Sequence, residues 1–158
     1  MIKVMFVCHG NICRSPMGEY IFSELLRGRG LTEECYVSSS AVTTEEIGND
    51  VYPPAKRVLL SHGIPCPTRA ARRITPREIE EYDHILCMDQ SNLRRLIAIS
   101  PLAEGKAHLL GEYGLGGKEI EDPWYTGRFD RVYDQIFHCS ECFLESLFGA
   151  DAPSLRSK

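Results

Sequence analysis

The sequence predicts a single-domain α/β fold, in which a four-stranded parallel sheet carries helices on both faces. Short runs rich in apolar residues alternate with segments of helical periodicity along the chain, which is the pattern of repeated strand and helix units. The length of 158 residues suits one domain with a sizeable core. In a sheet of this kind ligands bind beyond the carboxyl ends of the strands, so functional residues are expected there.

The four predicted strands are short runs that polar or turn-forming residues bound on either side. At least one predicted helix separates each strand from the next, and a crossover of that length returns the chain in the parallel direction. The strands comprise residues 4–7, 35–40, 84–88 and 107–110. Together they predict a doubly wound sheet of the flavodoxin-like or Rossmann-like type.

The five predicted helices have apolar residues three and four positions apart. Local signals mark their ends. Thr75 with Glu78 three residues later is a capping box, Pro53 and Pro54 suit the first turn of a helix, and Gly63 suits a C-terminal cap. The predicted helices cover residues 17–28, 52–62, 75–82, 92–99 and 129–148.

The domain organisation is simple, because no internal repeat, low-complexity tract or linker interrupts this pattern. The domain is predicted to occupy residues 1–150. The small, polar and proline residues of 151–158 predict a frayed C-terminal tail.

Composition and charge exclude several classes of partner. A net charge of −4 argues against general affinity for nucleic acid or for anionic membranes, so neither is expected as a partner. No signal peptide and no run long enough to span a bilayer is visible. Seven cysteines are an odd number that a disulfide scaffold would leave unpaired, and a thiol enzyme needs a reducing compartment. We therefore expect a cytoplasmic protein.

The most informative stretch is VMFVCHGNICRSP, residues 4–16, which reads as a strand, a loop and the start of a helix. Five residues between Cys8 and Arg14 are enough to wrap the backbone around one tetrahedral anion. In such a wrap the N–H groups point inward and the helix N-terminus favours a phosphate. Gly10 and Asn11 tolerate positive φ, and Pro16 suits a first helical turn. The pattern predicts an oxyanion site.

The same stretch predicts a nucleophile. A cysteine reacts as its thiolate, and a neighbouring guanidinium and a helix N-terminus both favour that form at Cys8. Arg14 can grip two oxygens of the anion, which a lysine cannot do. Ser15 is well placed to donate a hydrogen bond to the Cys8 sulfur.

These residues resemble the C-x5-R-S signature of the low-molecular-weight protein tyrosine phosphatases, and the resemblance extends over nearly the whole chain. It implies a phosphatase that acts on phosphotyrosine in proteins and on aryl phosphates, without a metal or other cofactor, and that binds phosphate and related oxyanions. It implies that Cys8 forms a phosphocysteine intermediate. The phosphate would be bound by His9, Gly10, Asn11, Ile12, Cys13, Arg14 and Ser15.

A second part of the site is expected in the Asp122-Pro123-Trp124-Tyr125 segment. Dephosphorylation by a thiolate needs a proton donor for the leaving oxygen, and Asp122 lies in a loop that can reach the carboxyl edge of the sheet. The resemblance assigns Asp122 as the general acid. It also assigns Trp124 and Tyr125 as walls for the substrate ring. Ile12, a branched apolar residue of the loop, suits the same ring and is predicted as a further wall.

A hydrogen-bonded support for the loop is also implied by the resemblance, which places Asn11, Ser15 and Ser40 in it. Asp89, at a strand end, either joins this network or caps the following helix. The chain departs from many relatives at two places. Arg69 stands where they place a histidine, so the share of that histidine is either replaced or lost. Glu46, in the pair Glu45-Glu46, stands where they carry an aromatic residue.

Two of the alternatives are enzymes of the same fold. Relatives that act on phosphoarginine tend to have threonine where this chain has Ile12, which favours phosphotyrosine. Arsenate reductases carry two further cysteines close together in the middle of the chain, where this sequence has only Cys87.

Three further hypotheses concern the remaining functional features. A non-catalytic phosphate-binding module would keep Arg14 but would not need Cys8 or Asp122. A zinc site at Cys139 and Cys142 is disfavoured because no second ligand pair appears at suitable spacing. Cys13 is a candidate redox partner for Cys8, and packing as a small apolar residue is the alternative role.

Overall fold

The computed structural model describes residues 1–149, so the predicted tail at 151–158 lies outside the described residues. Its sheet has four strands, all parallel, in the order β2-β1-β3-β4. The predicted fold class is confirmed. The strands are β1 (Ile2–Cys8), β2 (Cys35–Ala41), β3 (His84–Cys87) and β4 (Ala107–Leu109).

The helices follow the predicted order, with one addition. They are α1 (Arg14–Gly28), α2 (Pro53–Ser61), α3 (Pro76–Glu81), α4 (Gln90–Ile99), α5 (Pro123–Thr126) and α6 (Phe129–Phe148), and 3₁₀ turns occur at Pro101–Gly105 and Leu110–Glu112. Helix α1 begins three residues earlier than predicted, because its first turn buries polar residues that an apolar pattern does not detect. The single turn α5 was not predicted. Within residues 1–149, no helix combines the length and apolar character needed to cross a bilayer.

Both faces of the sheet are covered, and alternate residues of β1 point to opposite sides. Phe6 packs against the tilted ring of Phe22 of α1, 5.8 Å away between ring centroids, and Phe22 in turn contacts Phe143 of α6 at 5.5 Å. Met5 belongs to the cluster on the other face, with Ile79 of α3 and other residues. A β1 buried on both sides explains why its residues 4–7 are apolar without alternation.

Helix α1 lies unusually close to β1. A Cβ atom added at Gly18 would stand 2.5 Å from a ring carbon of Phe6, a distance that real contacts do not show. The helix can therefore sit low on the sheet, and its N-terminus meets the carboxyl end of β1 at Cys8. This packing brings the loop of residues 8–15 to the edge of the sheet where ligands are expected.

Candidate active site

The oxyanion loop, residues 8–15, connects β1 to α1. Asn11 has φ of 63°, and in the described part of the chain it is the one residue other than glycine with positive φ. Gly10 does not have positive φ, so the prediction that glycine is needed here for its dihedral angles is wrong. A Cβ at Gly10 would lie 2.9 Å from Cγ of Glu46, which means that glycine leaves room for that side chain. The loop conformation thus depends on Asn11 for its dihedral angles and on Gly10 for space.

The sulfur of Cys8 lies at the centre of a buried hydrogen-bond network. The backbone N–H of Ser15 donates to Sγ at 3.3 Å, and Ser15 Oγ lies 3.0 Å from the same sulfur. Asn11 Nδ2 donates to Ser15 Oγ at 2.7 Å. Because Ser15 Oγ accepts from Asn11, its own proton is free to point at an ionised sulfur. The N–H and the hydroxyl group of Ser15 thus both lie within hydrogen-bond distance of the Cys8 sulfur.

The support behind Asn11 is made by Ser39 and Arg69. Asn11 Nδ2 also donates to Ser39 Oγ at 3.1 Å, while Arg69 donates to Asn11 Oδ1 at 2.6 Å and to Ser39 Oγ at 3.1 Å. Arg69 therefore replaces the contribution of the histidine that many relatives have at this position. Its guanidinium lies 3.7 Å from the carboxylate of Glu19, which accepts a hydrogen bond from Ser39 Oγ.

The expected role of Ser40 in this support is wrong by one residue. Successive side chains of a strand point to opposite faces, and Ser39 is the serine that faces Asn11. Ser40 points to the other face, where its hydroxyl donates to the sulfur of Met5 at 3.3 Å. The sequence has three consecutive serines at residues 38–40, and the resemblance alone could not fix which of them faces the loop.

Glu19 was not predicted, although it is largely buried beneath the support. Burial raises the pKa of Glu19 above its ordinary value, and the hydrogen bond from Ser39 and the charge of Arg69 oppose that rise. The signal in the sequence was available, since Glu19 lies one helical turn after Ser15 on the buried side of α1.

Arg14 is buried, with 3% of its side chain exposed. Its Nη1 donates to Asp89 Oδ2 and to the carbonyl oxygen of Ile120, both at 2.8 Å. Its Nη2 lies 3.5 Å from Asp122 Oδ2. Burial acts to lower the pKa of Arg14, but the negative charges of Cys8, Asp89 and Asp122 outweigh it and raise the pKa, so the guanidinium stays charged.

Asp89 caps the following helix, which is one of its two expected roles, and its second partner is Arg14 instead of the support around Asn11. One carboxylate oxygen accepts from Arg14, and the other accepts from the backbone N–H of Asn92 at 2.9 Å, within a capping box at the start of α4. The end of β3 thereby fixes the orientation of the guanidinium.

Asp122 lies opposite the loop, at the N-terminal cap of α5. Its Oδ1 accepts from the backbone N–H of Trp124 at 3.0 Å, and Oδ2 faces Arg14. Trp124 and Tyr125 are 49% and 84% exposed. Tyr52, which was predicted only as a helix start, contacts the Trp124 ring with centroids 4.6 Å apart.

A cavity of about 210 Å³ opens between the loop and this segment. Most of the residues predicted to form the site line this cavity. Glu45 and Glu46, which differ from the aromatic residue of many relatives, form its acidic rim. His9 Nε2 lies 3.0 Å from a carboxylate oxygen of Glu45 at the mouth. The lining comprises Cys8, His9, Gly10, Ile12, Cys13, Arg14, Glu45, Glu46, Asp122, Trp124 and Tyr125.

All seven cysteines are free thiols. Burial is the largest cause of a strongly raised pKa at Cys13, and the charges of Cys8 and Asp122 add to it, so Cys13 is a neutral thiol at neutral pH. Among residues 1–149, no cluster of three or more histidine, cysteine or acidic side chains could hold a metal ion.

A thiol beside a buried guanidinium, faced by a carboxyl group at the carboxyl edge of a parallel sheet, defines a cysteine-dependent phosphatase. Comparison with known proteins makes the assignment specific. The family model described as low molecular weight phosphotyrosine protein phosphatase matches residues 3–151, and the chain belongs to that family.

Three relatives illustrate the similarity. The human low molecular weight phosphotyrosine protein phosphatase is 40% identical over 149 residues, covering 90% of this chain and 94% of the relative. The crystal structure of YfkJ from Bacillus subtilis has a TM-score of 0.88 at 32% identity, covering 93% of this chain and 94% of that chain. The crystal structure of a Drosophila arginine phosphatase has a TM-score of 0.84 at 33% identity, covering 95% and 100% of the two chains.

Proposed function

We propose that this protein hydrolyses phosphotyrosine in proteins, and simple aryl phosphates, through a phosphocysteine intermediate on Cys8. The observation that carries the proposal is the contact of the Cys8 sulfur with both the N–H and the hydroxyl group of Ser15, within a cavity that Arg14 and Asp122 also line. Membership of the phosphotyrosine phosphatase family supports the same substrate class.

In the first step, the Cys8 thiolate attacks phosphorus and the bond from phosphorus to the phenolic oxygen breaks. The electron pair of that bond leaves with the oxygen, and Asp122 donates its proton to it, so that a neutral phenol departs. Asp122 lies beside Arg14 at the cavity, which suits it to this task. A positioned acid of this kind contributes about 100-fold to 10,000-fold to the rate.

In the second step, a water molecule attacks the phosphocysteine in line with the sulfur. Asp122, now a carboxylate, accepts a proton from the water, and the bond from sulfur to phosphorus breaks to release inorganic phosphate and the Cys8 thiolate. The hydroxyl of Ser15 stabilises the departing sulfur. Throughout both steps Arg14 and the N–H groups of the loop hold the equatorial oxygens, and such preorganised donors usually make the largest contribution to catalysis.

The direct test is turnover of p-nitrophenyl phosphate by the wild type and by Cys8→Ser. We expect the variant to lose activity by at least about 10,000-fold, because a serine hydroxyl is rarely ionised, while it still binds phosphate or vanadate. A Cys66→Ser variant is the matched control, since Cys66 lies outside the cavity. Activity that survives in Cys8→Ser contradicts the mechanism.

Phosphotyrosine is preferred over phosphoarginine in this proposal. Ile12 and Trp124 line the cavity, and an apolar wall with an exposed indole suits a phenyl ring. The arginine phosphatase among the relatives makes phosphoarginine the second candidate. Side-by-side kcat/KM values for phosphotyrosine and phosphoarginine peptides decide between them, and a higher value for phosphoarginine overturns this preference.

The acidic rim points to a preference among phosphopeptides. Glu45 is exposed and Glu46 half-buried at the cavity mouth, where they repel acidic residues beside the phosphotyrosine. Aryl phosphates without a peptide are not affected by this repulsion. Equal kcat/KM for acidic and basic phosphopeptides would count against the role of the rim.

Thioredoxin-dependent arsenate reduction is not expected. It needs two further thiols that relay oxidation from Cys8. Cys87 is fully buried in the sheet, and burial strongly raises its pKa, while Cys139 is buried within α6. Detection of arsenate turnover with thioredoxin would overturn this expectation.

Cys13 is proposed as a reversible redox partner of Cys8. Peroxide converts the Cys8 thiolate to a sulfenic acid, and Cys13 attacks that sulfur to form a disulfide with release of water. Because burial raises the pKa of Cys13, only a small fraction is thiolate at neutral pH, and disulfide closure is expected to accelerate as pH rises. Inactivation that dithiothreitol reverses in the wild type but not in Cys13→Ser supports the bridge, and irreversible inactivation of both contradicts it.

The remaining parts of the proposal concern context. We place the catalytic domain at residues 1–150 and its location in the cytoplasm, where a reducing environment maintains the free thiols. The partners are phosphorylated proteins, with neither nucleic acid nor membrane required. Fluorescence microscopy of the tagged protein tests the location, and a membrane or nucleic-acid pull-down tests the partners.

A further inference from the structure

Tyr52 connects two parts of the candidate site that the chain separates widely. It precedes α2, and its half-buried ring contacts Trp124 with centroids 4.6 Å apart and an angle of 49° between the planes. Phe129, at the start of α6, lies on the same ring at 6.0 Å. Both distances lie in the range over which aromatic pairs attract one another.

Tyr52 is also bound to the oxyanion loop. Its backbone N–H donates to the carbonyl oxygen of Ile12 at 2.8 Å, and its side chain packs against the small apolar cluster of Ile12, Cys13 and Ala71. The backbone of Tyr52 is therefore fixed relative to the loop that holds the anion.

The acid segment, residues 119–127, is fixed at its start, where the carbonyl oxygen of Ile120 accepts from Arg14 at 2.8 Å and its N–H donates to Met88 at 2.9 Å. After Ile120 the segment is held less firmly. Glu121 forms ion pairs with Arg128 at 2.8 Å and Arg131 at 3.0 Å, which bind the segment to the start of α6 and not to the loop. Beyond Ile120, in the described part of the chain, the contacts directed toward the loop include the 3.5 Å pair of Asp122 with Arg14 and the ring contact of Trp124 with Tyr52.

We propose that Tyr52 is a positioning residue that holds Trp124, and through it the carboxyl group of Asp122, at a fixed distance from the oxyanion loop. The inference rests on the proposed role of Asp122 as the general acid. Trp124 follows Asp122 by two residues and donates its backbone N–H to the Asp122 carboxylate at 3.0 Å, so a displaced indole moves the carboxylate with it. Tyr52 itself is not among the residues that line the cavity.

The kinetic test uses two substrates that differ in how much they need a proton. Phenolate is a strong base and needs protonation as it leaves, whereas p-nitrophenolate is a much weaker base and leaves with little help. We expect Tyr52→Ala to lower kcat/KM about tenfold more for phenyl phosphate than for p-nitrophenyl phosphate. A positioned acid contributes ~100-fold or more to the rate, and a displaced acid should lose part of that contribution. Tyr52→Leu, which keeps apolar bulk against Ile12, is expected to shift the ratio in the same direction.

Two controls accompany the test. Tyr52→Phe keeps the ring and is expected to retain the wild-type ratio. Tyr36→Ala removes an exposed tyrosine at the opposite end of the sheet, where Tyr36 pairs with Lys3, and is also expected to leave the ratio unchanged. An equal fall on both substrates in Tyr52→Ala and Tyr52→Leu overturns the inference.

A second measurement does not depend on activity. Trp124 is the single tryptophan of the chain, so tryptophan fluorescence reports the surroundings of this one ring. We expect acrylamide to quench Trp124 more strongly in Tyr52→Ala than in the wild type or in Tyr36→Ala. Unchanged quenching overturns the inference even if turnover falls. If the wild type is inactive on both aryl phosphates, the proposed function is refuted instead. The quenching result still tests the contact between Tyr52 and Trp124 in that case.

Discussion

The oxyanion loop and the acid segment face each other across one cavity, but they are built differently. In the loop, Asn11 and Ser15 are almost fully buried, and their side chains take part in several hydrogen bonds. In the acid segment, Trp124 and Tyr125 are exposed on a single helical turn. A rigid half and a lightly held half therefore share the site.

The difference separates two tasks. An anion site works best when its donors are fixed before the ligand arrives, since no reorganisation is then needed during the reaction. A segment that receives substrates of different shapes benefits from lower local stability. Substitutions in the loop should therefore remove activity on every substrate, and those in the acid segment should act according to the leaving group.

The largest effect in this comparison is expected at Arg14. Arg14→Lys removes the planar fork that Asp89 orients and that can bind two anion oxygens, so kcat/KM for p-nitrophenyl phosphate should fall about 1,000-fold. The fall should be the same for phenyl phosphate. Arg27→Lys, at an exposed position of the same helix, is the control and should be neutral. A small effect at Arg14 would show that the guanidinium is not needed as a fork.

The next effect is expected at Asp122. Asp122→Asn cannot donate the proton, so kcat/KM for phenyl phosphate should fall about 100-fold, with a smaller fall for p-nitrophenyl phosphate. Inhibition by inorganic phosphate should persist, because the donors of the loop remain. Asp134→Asn, on the exposed face of α6, serves as the control. Equal losses on the two substrates would remove the distinction between the two halves.

A moderate effect is expected behind the loop, at Arg69. Arg69→Met removes two donors from Asn11 and Ser39 and the ion-pair partner of Glu19, so stability should fall by about 2 kcal/mol and kcat/KM about tenfold. Denaturant unfolding and steady-state kinetics measure the two. Arg77→Met, which removes an exposed arginine of α3, is the control.

Arg69→His sharpens the same point through pH. A protonated imidazole donates hydrogen bonds from both nitrogens, whereas a neutral imidazole donates from only one. Above the imidazole pKa, ordinarily about 6.5, the histidine therefore cannot donate to both Asn11 and Ser39. Activity relative to the wild type should therefore fall as pH rises through that region, because the arginine of the wild type stays charged. Parallel pH profiles for the two proteins would contradict a role for these donors.

The smallest effect is expected at the rim. Glu45→Gln with Glu46→Gln should raise kcat/KM about threefold more for an acidic phosphopeptide than for p-nitrophenyl phosphate, a modest difference because exposed charges contribute little. The gain should shrink as salt increases. A gain that salt does not alter would assign the effect to shape instead of charge.

The two halves also differ in how well the sequence predicts them. The strand, loop and helix around Cys8 could be predicted because the loop closes locally, although glycine is needed at residue 10 for space and not for its dihedral angles. Contacts between distant segments could not. Ser39 was missed because the face of a strand changes with every residue, and Tyr52 because its ring is brought to Trp124 only by the folded chain.

Capping signals behaved in the same way. The box at Thr75 and Glu78 was predicted and is present, since both partners lie within one turn. The double role of Asp89 could not be decided beforehand, because its contact with Arg14 spans 75 residues. Local chemistry therefore predicts elements and caps, whereas the side-chain network of the site requires the tertiary structure.

Because α1 approaches β1 closely at Gly18 and Phe6, the position of the oxyanion loop also depends on a residue outside the site. Any larger side chain at residue 18 would push the start of α1 away from the sheet. The oxyanion loop, which would hold a bound phosphate, would move with it. A glycine that never meets a ligand would then be found among inactivating mutations, and its signature would be weakened phosphate affinity in a chain that still folds.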